Sequence, residues 1–340
     1  VNGNSGLGGL NPPQIPGLRL RSPRGRDDAE VMARTITSSR AADDVDFVTT
    51  AEDLAADFEN PTDFDPSADM LVAEVDGKMI GVSRIYCDAR KDVIAYRHSA
   101  DVIPEWRVQG LREFLFDWNE RHIMAIAKES STDDGRPRMY ELWANDAEND
   151  WKSIVLRKGY REIHHEIDMV RALNDIPSIP VPEGFEVRPV RPEHYRAVWE
   201  ANRDAWTDVW DYSEARWDDE ALERFARSSR FCPDLWQIAW KGDVLAGMVL
   251  NYVVEDENRA FERKRGHMEF VYVREEFRGK GLARALLARS LRVLKNIGME
   301  EVTLGAEVDN PHDAIRIYES IGFRLVKKFT WYQKPVLTGT

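Results

Sequence analysis

The stretch Val273-Arg274-Glu275-Glu276-Phe277-Arg278-Gly279-Lys280-Gly281-Leu282-Ala283 decides how this chain is read. A β-rich segment, Met268 to Val273, runs into a basic turn spaced by glycines, and an Ala/Leu/Arg helix starts directly after it. Such a turn leaves backbone N–H groups without intrahelical partners, with the positive end of the helix dipole behind them. That combination suits a diphosphate, so the stretch reads as a cradle for a phosphorylated cofactor.

Three glycine-turn patterns compete for it. A P-loop needs Gly-x-x-x-x-Gly-Lys followed by Ser or Thr, and no such pair follows a suitable glycine. A dinucleotide fingerprint needs Gly-x-Gly-x-x-Gly directly after the strand; Gly279 and Gly281 fit, but Arg284 stands at the third position and Arg274 to Arg278 intervene. The third pattern, Arg/Gln-x-x-Gly-x-Gly/Ala, is matched by Arg278, Gly281 and Ala283. This segment resembles the acetyl-CoA loop of the GNAT acetyltransferase superfamily. The surroundings agree. The spacing predicts a helix from Leu282 to about Ile297, with Leu286, Leu287, Leu291 and Leu294 on one apolar face and Gly298 as its cap. A β-branched run from Val302 to Val308 follows, then a turn at Asp309-Asn310-Pro311. A second helix carries Ala314, Ile317 and Tyr318 and stops at Gly322-Phe323. The order Asn310, Ala314, Tyr318, Gly322-Phe323 is similar to the superfamily's C-terminal signature.

The chain also contains a diverged internal repeat. Leu18-Arg19-Leu20-Arg21 is echoed by Phe185-Glu186-Val187-Arg188, and the hairpin Leu71 to Tyr86 by Trp236 to Tyr252. Val102 to Gly110 parallels Val273 to Gly281, and Lys158-Gly159-Tyr160 parallels Ile321-Gly322-Phe323. The expected class is therefore α/β, with two tandem GNAT-like modules, each a mixed, centrally splayed sheet flanked by helices. The boundaries expected are a mobile tail at 1–17, a degenerate module at 18–173, a proline-spaced linker at 174–184 and a catalytic module at 185–340. The first module is expected to be degenerate because Val108 replaces Gly279, Arg112 replaces Ala283, and Val155, which has no proton to give, stands at the place of Tyr318. Bulk at the first two positions would obstruct phosphate. The tandem organisation is similar to that of the mycothiol synthase family of bacterial double acetyltransferases.

The resemblance implies a site. Acetyl-CoA would lie between strands His267–Val273 and Val302–Val308, with backbone N–H groups at Val271, Tyr272 and Val273 on its pantetheine arm and thioester. Arg278, Gly279, Lys280, Gly281, Leu282 and Ala283 would hold the diphosphate, and Asn310 the pantetheine arm. Tyr318 would protonate the leaving thiolate. A primary amine has a pKa of about 10.4, so deprotonating it at neutral pH costs roughly 4–5 kcal/mol and calls for a base. Family members carry one on the strand before the cradle, where this chain has Glu269 and His267, two residues apart on a strand and so on one face. Glu269 is the expected base, with His267 as its partner or alternative.

Composition limits the rest. At 340 residues two domains are the default, and 43% apolar with 31% charged residues describes a core beneath a charged surface. No apolar run approaches a membrane span, and the Gly/Asn/Pro-rich start lacks the pattern of a signal peptide. A net charge of −13 argues against nucleic acid and anionic membranes as partners. Two distant cysteines, Cys87 and Cys232, suit a reducing cytoplasm, and seven histidines show no metal-ligand spacing. The segment Trp199 to Trp240 is rich in tryptophan; packing between helix and sheet is expected there ahead of an aromatic pocket. Glu255 to Arg265 reads as a solvated loop. The functional expectation is transfer of acetyl from acetyl-CoA to a primary amine of a small molecule. The alternatives are a CoA-binding regulatory protein without turnover, separated by assay of thiol release, and a protein or peptide N-acetyltransferase. Oligomeric state is left open.

Overall fold

The computed structural model describes residues 9–46, 48–59, 61, 64–129, 135–207, 209–213, 217–228, 230–309 and 314–337. The chain forms two compact units, one of residues 1–164 and 329–340, the other of residues 165–328. Each is an α/β module with a mixed sheet.

In the first unit, β1 (Leu18–Arg21) is followed by α1 (Arg26–Ala41) and α2 (Ala51–Glu59). Strands β2 (Met70–Val75), β3 (Lys78–Ala89) and β4 (Ile94–Val102) form an antiparallel meander. The β2–β3 hairpin turns at Asp76-Gly77, both at positive φ, as a tight two-residue hairpin turn requires. Helix α3 (Leu111–Glu129), strand β5 (Arg138–Asn145) and helix α4 (Asn149–Arg157) follow. β4 and β5 are parallel and paired only from Ile94–Arg97 to Arg138–Glu141, although both strands run on.

After α4 comes β6 (Arg161–Ala172), and it leaves the sheet expected for it: Glu166 to Ala172 pair with β11 (Glu301–Glu307) of the second unit. Reciprocally, the last strand, β12 (Arg324–Pro335), pairs through Phe329 to Pro335 with β5 of the first unit. The expected division at 174–184 is thus corrected: the two final strands are exchanged. Both alternate as strands must, β6 sending Ile167 and Met169 into the second core and β12 sending Tyr332 into the first. The proline-spaced segment is no loose tether, since Ile176, Ile179 and Val181 pack on the second unit's core. The expected tail divides too. Residues 1–8 lie outside the described part, whereas Ile15 is buried in the first unit's core.

The second unit repeats the order. β7 (Glu186–Arg188) precedes α5 (Tyr195–Trp206) and α6 (Asp219–Arg227), then the hairpin β8 (Gln237–Lys241) and β9 (Val244–Tyr252). The supposed solvated loop holds a short helix, α7 (Glu255–Ala260), with Glu257 and Asn258 buried. Strand β10 (Arg265–Val273), helix α8 (Leu282–Asn296), β11 and α9 (Ala314–Ser320) complete it. Leu286, Leu287, Leu291 and Leu294 of α8 are fully buried, and Gly298 ends the helix at positive φ. The tryptophans pack as helix-on-sheet core: Trp199 lies against Trp217 and Phe225, and Phe225 stacks on Trp236.

The first core holds one buried titratable group with a testable consequence. His98 on β4 contacts the Tyr160 hydroxyl at 2.8 Å and the Asn119 amide at 3.3 Å. Burial, with the Lys334 charge nearby, pushes its pKa down to about 3. A base whose folded pKa lies below its unfolded value of about 6.5 gives stability that is present above pH 6.5 and lost as pH falls toward 3. At pH 5 the loss is about 2 kcal/mol. NMR is expected to show the His98 imidazole neutral at pH 4, and His98→Gln to flatten the pH dependence of unfolding between pH 5 and 7.

Candidate functional site

β10 and β11 run parallel, but their pairing covers only Arg265–His267 against Glu301–Thr303. Beyond it the strands part. Within β10 the register against β9 slips between Glu269 and Tyr272, with Phe270 at φ 53. A bulky residue at positive φ is a strained bulge, and it reverses side-chain parity. Val271 and Val273 consequently pack on the core that contains α8, while Phe270 and Tyr272 join the α5 side. The Arg274 amide donates to Ala246 O, so ladder alternation also turns Tyr272's amide toward β9. The amides of Val271 and Val273 are left facing the gap. Of the three backbone donors expected from sequence, two face this gap and the Tyr272 amide turns to the ladder.

The turn after β10 is built by glycine. Gly279 and Gly281 sit at φ +74 and +82, and an added Cβ at either would meet nothing within 4 Å. Gly281 is the left-handed N-cap of α8, with no side chain capping that end. The first amides of α8 therefore face outward with the helix dipole behind them. Arg278 Nε donates to Val273 O at 2.9 Å, tying turn to strand. Lys280 instead folds back, its Nζ on Glu276 O at 3.2 Å.

A cavity of about 500 Å³ opens from this turn, wholly within the second unit. Its wall includes Val271, Tyr272, Val273, Arg278, Gly279, Gly281, Leu282 and Ala283 from the predicted set, together with Tyr318. It also includes residues the sequence reading did not single out for the site: Asp204, Val209, Glu307, Ala314 and Ile317. Tyr318 is 7% exposed. Its hydroxyl has no hydrogen-bond partner among the described residues, and burial pushes its pKa up to about 12. It is a proton donor at any physiological pH, set in a cavity wall.

The expected bases lie elsewhere. His267 and Glu269 do share the α5-facing side of β10, but neither lines the cavity. His267 Nε2 is 3.1 Å from Glu257 Oε2, and its ring stacks on Tyr252. Glu269 lies 3.7 Å from Arg230 and bonds the Tyr252 hydroxyl, whose pKa is driven up chiefly by burial and then by Glu269. Asn310 lies outside the described residues.

The first unit shows what the same turn becomes when side chains replace the space. Arg107 Nε donates to Val102 O at 2.9 Å, and Gly110 holds φ +78, as in the other unit. There the likeness stops. Arg112, at the place of Ala283, is buried, donates to Glu148 at 3.0 Å and lies 4.8 Å over the Trp151 ring. Trp151 stands where the second unit has Ala314, and Val155 where it has Tyr318. Asp43 takes both Arg107 Nη groups at 2.7 and 2.8 Å. The filling is done by Arg112 and Trp151 and not by Val108, which is 90% exposed.

Residues 195–323 match the model of the acetyltransferase (GNAT) family, so the second unit carries a GNAT acetyltransferase domain, and the protein is an acyltransferase enzyme. Its organisation is that of the tandem members. Mycothiol acetyltransferase of Acidothermus cellulolyticus is 28% identical over 249 residues, covering 70% of this chain and 71% of the relative. Among solved structures, a GCN5-related N-acetyltransferase from Sphaerobacter thermophilus superposes with a TM-score of 0.72 over 95% of this chain and 96% of its own, at 23% identity. A tandem GNAT protein from the clavulanic acid biosynthesis pathway gives 0.65 over 94% and 98%, at 16%. At those identities the structures bear on the fold alone.

Proposed function

We propose that the second unit binds acetyl-CoA and transfers its acetyl group to a primary amine of a small molecule. One observation carries this reading: a single cavity joins the glycine turn to the buried hydroxyl of Tyr318. The residues fit the donor. The amides of Gly279 to Ala283 and the Arg278 side chain would hold the diphosphate, and those of Val271 and Val273 the pantetheine arm, with Val273 near the thioester carbonyl. Bound acetyl-CoA supplies an acyl group activated as a thioester. The mycothiol acetyltransferase relatives, whose name denotes a small thiol compound, favour a small acceptor over a peptide. Arg112 and Trp151 argue that the first unit takes no part in donor binding. Two cysteines far apart in sequence, Cys87 and Cys232, favour a reducing, cytoplasmic setting. The test is release of CoA thiol from acetyl-CoA across a panel of amines. Turnover with at least one small amine is expected; CoA binding without turnover on any amine would leave the non-catalytic reading.

A further inference from the structure

The cavity has a charge arrangement that the donor does not explain. Its cations, Arg278 and Arg284, belong to the turn and the first turn of α8. Its carboxylates are Asp204 of α5 and Glu307, the last residue of β11. Glu307 shares the cavity with the buried Tyr318 hydroxyl, a polar group waiting for a ligand. We propose that Glu307 is the acceptor's ammonium ligand and its proton acceptor, and that the acceptor is a cationic amine carrying no carboxylate beside the reacting nitrogen. The assignment rests on the acetyl-transfer reading and replaces Glu269 as the base.

The surroundings of Glu307 favour this role. Asp211 lies in the segment after α5, Asp309 follows β11, and Glu166 is the cross-strand partner on β6. Tyr318 on α9 lines the same cavity. Burial first, and then Asp211 and Asp309, hold the Glu307 carboxyl above its usual pKa, which makes it a better base near neutrality. A substrate carboxylate would meet this cluster and be repelled, whereas an ammonium is drawn to it. The proton balance closes. The ammonium gives one proton to Glu307, which passes it to solvent. The nitrogen lone pair forms the C–N bond as the C–S bond breaks, Tyr318 protonates the sulfur, and the second nitrogen proton returns to Tyr318.

The experiment is steady-state thiol release by the full chain and by Glu307→Gln and Glu269→Gln, from pH 5 to 9, with a linear diamine and an α-amino acid as acceptors. Wild type is expected to prefer the diamine by about ten-fold or more in kcat/KM. Glu307→Gln is expected to lose about 10²–10⁴ in kcat/KM and the acidic limb of the profile, which in wild type lies above the normal carboxylate range. Its CoA affinity by calorimetry is expected to match wild type, which shows that it folds. A preference for the amino acid, or loss of the acidic limb in Glu269→Gln while Glu307→Gln keeps it, overturns the assignment and leaves the acetyl-transfer reading intact. A wild type that turns over no amine removes both.

Discussion

Tyr318→Phe is expected to lower kcat by about 10²–10⁴ while the affinity for acetyl-CoA stays within about two-fold of wild type. The size follows from removing the buried hydroxyl assigned to protonate the leaving thiolate. The affinity should survive because the ring remains packed near Phe323, and the lost hydroxyl strands no partner. Its pKa of about 12 adds a pH statement. An acid that stays protonated over the whole assay range cannot set an alkaline limb, so any fall of kcat between pH 8 and 10 must persist in the variant. A variant with wild-type kcat would make Tyr318 an ordinary core residue and break the link between cavity and chemistry.

Ala283→Asp is expected to cut CoA affinity by about 100-fold or more while leaving the fold as stable as wild type or slightly more so. The two signs come from one cause. A carboxylate in the first turn of α8 complements the helix dipole, worth about 0.3–1 kcal/mol, and occupies with negative charge the place a diphosphate would take. Ala283 lines the cavity and leads into a helix whose buried leucines are unaffected by the change. Opposite effects on melting and on binding would separate loss of a site from loss of structure.

Much of this was legible in the letters. Gly298 announced the helix cap and the leucine period announced α8, because both are local properties. The strand exchange was not. β6 and β12 carry the same alternation wherever they pair, and periodicity fixes a strand's faces but not its neighbour. The bulge was hidden because it falls on Phe270, a residue type that seldom accepts positive φ. The surroundings of the expected bases were hidden for a related reason. Parity placed His267 and Glu269 correctly on one face, but only tertiary structure shows that Glu257 of α7 and Arg230 engage them. Glu307 could have been noticed as a carboxylate at the open end of β11, eleven positions before Tyr318.

The filled first unit sets the two repeats apart. The backbone device is preserved in both, down to the arginine that ties turn to strand. What differs is volume and charge: alanines and a tyrosine around a cavity in one, and a buried Arg112–Glu148 pair with a tryptophan and a valine in the other. Burial holds the Glu148 carboxyl up to about 7 against the pull of Arg112.

The most direct test is calorimetric titration of CoA into the full chain and into Ala283→Asp. One mole of CoA bound per mole of chain, abolished or weakened at least about 100-fold in the variant, is the result predicted. No heat with the wild-type chain, two sites per chain, or unchanged binding in Ala283→Asp would contradict the claim that one turn, in the second unit, grips the donor.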